Sequence, residues 1–337
     1  MKTAISIRTF CCAALGAFAL LAGPGAGDAA AKPLVLKFAS ANPDTPRDNY
    51  ATCFRSFKAE VEKLLPGQVK FKFFANSQLG DEKEELEGLA FGTLDMTVVT
   101  NAVVSNLASS FMLNDMPFLY GNAAQAHEIL DGPIGREILD QLAAKSIKGL
   151  AFCEGGFRNM INNKHPITKP SDVEGVKFRV MQAPVFIKMF DALGGNAVPM
   201  PWSEAFTAVQ QGTVDGLELP IASMFSARYH EVSKYLSFTQ HTYSAVPLLM
   251  SMKAWKKLSE EQQEAFLKAG LLGAKDQREK VAANNSVLVK EMEASGMKVN
   301  EVEDPAAFRK KVLPVYEEFR SEIGSDLLDK ALEAVSK

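Results

Sequence analysis

The chain has 337 residues, with 37 Lys and Arg against 40 Asp and Glu and 47% apolar residues, a globular composition. A net charge of −3 without basic clusters lacks the electrostatic footprint of a nucleic-acid binder. The four histidines, His127, His165, His230 and His241, show no ligand spacing with Cys or carboxylates, so no metal or cofactor is expected.

The N-terminus reads as a targeting signal. Lys2 and Arg8 precede an apolar run from Phe10 to Ala22, and Ala29-Ala30-Ala31 offers small residues for cleavage. The mature chain is expected to begin near Lys32, leaving 35 basic against 39 acidic residues. Gly23-Pro24-Gly25 interrupts the run before it reaches the length of about 20 residues that spans a bilayer. No later segment is long and apolar enough either, so dealings with a membrane are expected to go through partners rather than by direct insertion. The remaining 306 residues exceed what one core usually organises, which predicts two lobes. Cys53 and Cys153 are the only cysteines left. An oxidising compartment permits a disulfide, but two buried free thiols are the expected state.

Along the mature chain, strands are expected at 34–40, 69–74, 96–100, 148–154, 176–181 and 216–220. Helices are expected from Tyr50 to Leu65, Ala123 to Lys145 and Phe186 to Leu193. Two segments echo each other without a gap: "EELEGLAFGTLDMTVV" from Glu84 and "EAFTAVQQGTVDGLEL" from Glu204. Each carries an apolar helical stripe, then Gly-Thr-apolar-Asp, then an extended segment; Gly92 and Gly212 supply the left-handed helix exit. The acidic run "GDEKEELE" before the first copy reads as the solvated start of its helix, where negative charge suits the dipole. Alternating strands and helices predict an α/β fold with largely parallel sheets and a cleft at the strand ends. Ser259 and Gln262 form a capping box that opens a helical pattern reaching Ser295, roughly 54 Å if the polar 282–286 segment does not bend it.

No nucleophile elbow, phosphate loop or dinucleotide fingerprint is present. What stands out is arginine. Arg179 lies inside "GVKFRVMQAP", a short apolar strand, and Arg158 follows Gly155-Gly156-Phe157. A guanidinium on a strand end is rigidly placed, and its planar fork suits a carboxylate. The bland reading, a structural ion pair, weighs equally for Arg158.

Over residues 34 to 325, "FANSQLGDEKEELEGLAFGTLDM", "DMPFLY", "DVEGVKFRVMQAPVF", "MPWSEAFTAVQQGTVDGLELP" and "HEVSKYL" resemble, in order and spacing, the DctP-type solute-binding proteins of tripartite ATP-independent periplasmic (TRAP) transporters. The resemblance implies a periplasmic, two-lobe binding protein, not an enzyme, with a hinge and a long connecting helix. It would close on a small organic acid and deliver it to TRAP membrane permease subunits. Lobe I would comprise 32–155 plus about 245–285, and lobe II 156–244 plus about 286–337. The same resemblance places the carboxylate-binding arginine at Arg179, a second ligand-contacting arginine at Arg158 and the packing aromatic at Trp202. Polar contacts would come from Asn42, Thr100 and Asn101, with Tyr243 near the hinge.

One departure stands at "DGLELP", where Leu217 and Leu219 replace the Gln and Asn of the common pattern. Loss of that amide favours a ligand with an apolar portion or fewer polar substituents. Two alternatives attach to this segment. Glu218 could support a metal ion in binding a 2-oxo or hydroxy acid. Glu218 or Asp215 could instead be the base of a cleft hydrolase or isomerase. A third reading is a receptor that senses the ligand and docks on a signalling domain.

Overall fold

The computed structural model describes residues 32–336. The expected export signal, residues 1–31, lies outside the described residues. Nine strands join one hydrogen-bonded sheet: β1 (Leu34–Ala39), β2 (Val69–Phe74), β3 (Met96–Val98), β4 (Ile147–Asn162), β5 (Lys177–Val180), β6 (Asn196–Pro199), β7 (Gly216–Pro220), β8 (Tyr235–Ser251) and β9 (Lys298–Glu301). Their order is β2-β1-β3-β8-β4-β7-β5-β6, with β9 beside β8.

The two-lobe α/β architecture arises because β4 and β8 are each long enough to serve both ends of this sheet. β3 pairs with the end of β8 at Leu248–Met250, whereas β7 pairs with the end of β4 at Arg158–Asn162. Between these ends the β4–β8 register shifts at Glu154/Gly156 and Arg158/Met160. Gly156 has φ +99°, and a side chain at Gly155 would collide with the Ser244 backbone and side chain, so the crossing needs glycine.

The internal echo is a structural repeat. Gly92 and Gly212 have φ values of +71° and +72°. Thr93 N–H donates to Gly88 O, and Thr213 N–H to Ala208 O. Asp95 Oδ2 accepts the Lys37 amide within β1, and Asp215 Oδ2 accepts the Lys177 amide at the start of β5. Each aspartate thus ties its helix-to-strand unit to the neighbouring parallel strand, a structural duty repeated in both halves.

The long helix Glu260–Ala294 runs unbroken through the polar segment, about 52 Å at the usual rise. Phe266, Ala269 and Ala274 pack in the core around Phe57, while Leu288 and Met292 pack in a separate core with Val209 and Leu217. At its middle the fully buried Gln277 donates to the carbonyls of Asn49 and Glu154 and accepts the Glu154 amide. The brace is therefore bonded to β4 where the strand irregularity begins.

Several expectations need correction. Cys53 and Cys153 form a disulfide, not two free thiols, joining helix Asn49–Leu64 to β4. The helical pattern 123–145 breaks at Gly132-Pro133 into Ala123–Asp131 and Pro133–Gln141, because proline cannot donate to the preceding turn. The acidic run is not fully solvated: Glu82 and Glu85 are buried. Three helices end the chain, Pro305–Val312, Pro314–Ile323 and Ser325–Val335, and the second of them bonds to both halves. Tyr316 reaches Pro117 O and Gln125 reaches Val335 O, while Lys188 pairs with Glu318. No helix of the described residues is long and apolar enough to cross a membrane.

Candidate functional site

Where the two halves of the sheet face each other, a small cavity of about 20 Å³ is lined by Asn42, Tyr50, Glu82, Thr100, Arg158 and Arg179, with Met181, Trp202, Leu219, Pro220 and Ser223 completing the wall. The repeat explains how Arg179 comes to be there. Ala39 on β1 pairs with Thr97, and Arg179 on β5 pairs with Leu217, the repeat counterpart of Thr97. Lys37-Phe38-Ala39 and Lys177-Phe178-Arg179 thus occupy equivalent strand ends, one with a methyl group and the other with a guanidinium.

Arg179 is 1% exposed. Its Nε and Nη2 donate to the Met200 carbonyl at 3.0 and 2.7 Å, and Nη1 approaches Met181 Sδ at 3.4 Å. Both acceptors are neutral. Among the described residues no carboxylate forms an ion pair with it, and burial pushes its pKa below the ordinary guanidinium value. The Trp202 ring centroid lies 6.0 Å from Arg179 Cζ, and Tyr229 backs the indole at 5.6 Å.

Arg158 is bound differently. On β4 it faces β7, where its Nε and Nη2 grip the Glu218 carboxylate and Nη2 also donates to Glu218 O at 2.7 Å. Burial alone would raise the Glu218 carboxyl, but Arg158 and His241 together hold it below its usual value. His241 Nε2 sits 3.1 Å from Glu218 Oε2. Both Glu218 oxygens are thus engaged, and Asp215 is engaged by Lys177 N–H and Lys164. Neither carboxylate lines the cavity, so the metal and cleft-enzyme alternatives are not favoured.

The polar wall comes from the first copy of the repeat. Tyr50 Oη lies 2.7 Å from Thr100 Oγ1, which donates to Glu82 Oε1 at 2.7 Å; the Thr hydroxyl spends its hydrogen on the carboxylate, so Tyr50 is the donor to it. Burial raises the Glu82 carboxyl, with the Thr100 bonds working against that rise. Asn42 is fixed by Asp48, whose other oxygen caps helix Asn49–Leu64. The second copy supplies Arg179 and the apolar surface of Met181, Trp202, Leu219 and Pro220.

Six of the eight residues singled out from sequence line this cavity: Arg179, Arg158, Trp202, Leu219, Asn42 and Thr100. Asn101 and Tyr243 do not. Asn101 turns inward, donating to Phe111 O and accepting from Asn114. Tyr243 packs against Tyr120 and Phe157. Tyr50, Glu82, Met181, Pro220 and Ser223 were missed, although Met181 and Pro220 lie in the quoted strand segments and Glu82 at a helix start immediately before the repeat.

A two-lobed α/β fold with a buried arginine that makes no ion pair, set in a small cleft, fits a binding protein for an anionic solute. Residues 39–322 match the family model for bacterial extracellular solute-binding protein family 7, DctP. A solute-binding protein from Verminephrobacter eiseniae is 38% identical over 81% of this chain and 82% of its own. Among solved structures, the sugar acid binding protein DctPAm from Advenella mimigardefordensis in complex with galactonate superposes with a TM-score of 0.86 at 34% identity, covering 90% of this chain and 98% of that one. A TRAP periplasmic solute-binding protein from Polaromonas sp. JS666 bound to D-erythronate gives 0.85 at 35% identity, covering 89% and 98%. The chain belongs to the DctP family of TRAP solute-binding proteins, which serve transport and are not enzymes.

Proposed function

We propose that this protein captures a small hydroxy acid in the cleft between its lobes and hands it, unaltered, to TRAP membrane permease subunits after export to the periplasm. The carrying observation is Arg179: a guanidinium 1% exposed, lining the cavity and bonded only to neutral acceptors. Burying a charge is costly unless it is paired, so this arrangement is suited to a ligand carboxylate that completes the pair. Two charge-assisted bonds of about 1.5 to 3 kcal/mol each then offset the dehydration of the acid.

Arg158, already neutralised by Glu218, adds at most a secondary polar contact. Asn42, Tyr50, Glu82 and Thr100 offer partners for hydroxyl groups, and Trp202, Met181 and Leu219 form the apolar wall. That combination fits a short aldonate or a hydroxy acid with a hydrocarbon portion. The acid stabilises the closed arrangement only through contacts it makes to both sides there.

A thermal-shift screen of aldonates, uronates, dicarboxylates and aromatic acids tests this reading, since a ligand of the folded state raises the melting temperature. Short hydroxy acids should give the largest shifts. Absence of any shift across all four classes, or chemical turnover of the bound acid seen by mass spectrometry, would overturn it.

A further inference from the structure

The repeat is broken at one more place besides Arg179. The gapless echo makes Asp81 and Pro201 equivalent, each standing immediately before a helix, Glu82–Phe91 and Trp202–Gln210. Asp81 Oδ1 accepts the Glu82 amide, and the Glu84 side chain returns to the Asp81 amide at 3.0 Å. Pro201 has no side-chain acceptor, so its helix begins without a cap of its own. The missing acceptor comes from the other half of the molecule: Asp81 Oδ2 accepts the Ser203 amide at 3.2 Å and the Ser203 hydroxyl at 3.0 Å.

We propose that Asp81 caps two helices at once, and that its second cap makes it a positioning residue for Trp202 that favours closure without any ligand. Trp202 is the first residue of the borrowed-cap helix, and it lines the cavity beside Arg179. Unpaired amides in a first helical turn carry partial positive charge, so an aspartate presented across the mouth satisfies a donor and the dipole together. A second cross-mouth bond, Asn106 Nδ2 to Gln182 O at 2.7 Å, acts in the same direction. The contact also lies on the route inward: Asp81, Glu82, Val103, Gln182 and Trp202 help line a void that shares Arg179 and Met181 with the central cavity.

The test uses the ligand-free full chain and three variants, Asp81→Ser, Ser203→Ala and the double substitution. Serine is itself a good N-cap, so Asp81→Ser keeps the helix Glu82–Phe91 capped while withdrawing the carboxylate that reaches Ser203. Amide exchange at Ser203 should quicken about fivefold in Asp81→Ser, the usual worth of a cap. Small-angle scattering should show a more open average shape in each single variant. The double variant should open no further than Asp81→Ser, because that change already removes the hydroxyl bond that Ser203→Ala deletes. An unchanged Ser203 exchange rate in Asp81→Ser overturns the proposal, as does faster exchange confined to the helix Glu82–Phe91. Because no acid is added, failure to find a carboxylate ligand would leave this result standing.

Discussion

Replacing Arg179 by Met separates binding from folding in a way that a merely structural arginine could not imitate. In the ligand-free protein the guanidinium is 1% exposed and bonds only to the Met200 carbonyl and the Met181 sulfur. Its removal forfeits those bonds, net about 1 kcal/mol each, but also lifts the several kcal/mol that an unpaired buried charge costs. Methionine fills a similar stem volume with flexible apolar atoms. The ligand-free variant should therefore unfold in urea within about 1 kcal/mol of the parent or be more stable. Binding should behave oppositely: losing two charge-assisted bonds of about 1.5 to 3 kcal/mol each weakens the acid by roughly a hundredfold to ten-thousandfold. Calorimetry with the best acid from the thermal-shift screen measures the second quantity. Arg179→Lys should also bind poorly, because a point charge lacks the fork. A variant that is strongly destabilised yet binds with ordinary affinity would refute the assignment of Arg179 as anchor.

Three further outcomes follow from the geometry. Leu219→Asn restores an amide to the cavity wall, so calorimetric affinity should shift by about tenfold towards galactonate relative to a less hydroxylated acid; an unchanged ratio would show that position 219 does not set selectivity. Cys53 and Cys153 are 100 residues apart in sequence, and in the chain-entropy account such a loop contributes about 4.7 kcal/mol. Urea unfolding of Cys53→Ser/Cys153→Ser should lose several kcal/mol, and a loss below about 1 kcal/mol would contradict that account. Asp115, buried with Oδ2 unbonded, has its carboxyl pushed up to about 8 by burial. Between the unfolded value near 3.8 and this folded value, the native state holds a proton the unfolded chain lacks. Its contribution therefore weakens as pH rises, by up to about 1.4 kcal/mol per unit. Asp115→Asn should gain on the parent from pH 5 to pH 8, and parallel stability curves would exclude this ionisation.

What was legible in the sequence follows from locality. The repeat, the glycine helix exits, the Ser259 cap and the long helix all depend on neighbours within one turn or one strand, and each is found as read. The strand β8 was not legible. Its Ser, Thr, Gln and His residues break the apolar alternation, yet most of it is buried because the strand lies between β3 and β4. The disulfide was hidden because only the folded sheet brings helix Asn49–Leu64 against β4. Glu82 looked like one more solvated acid, and it is burial beside Thr100 that sets it apart. Asn101 stands next to the cavity residue Thr100 in sequence, but it turns inward to Phe111 and Asn114, and Tyr243 packs among Tyr120 and Phe157.

The unequal repeat divides recognition between its two copies. The proposed anchor for the charged head of the cargo, Arg179 with the indole beside it, belongs to the second copy, whereas Asn42, Tyr50, Glu82 and Thr100 all belong to the first. On that assignment, evolution or a protein engineer can rewrite the tail-reading half of this carrier while the proposed handle for the acid stays untouched.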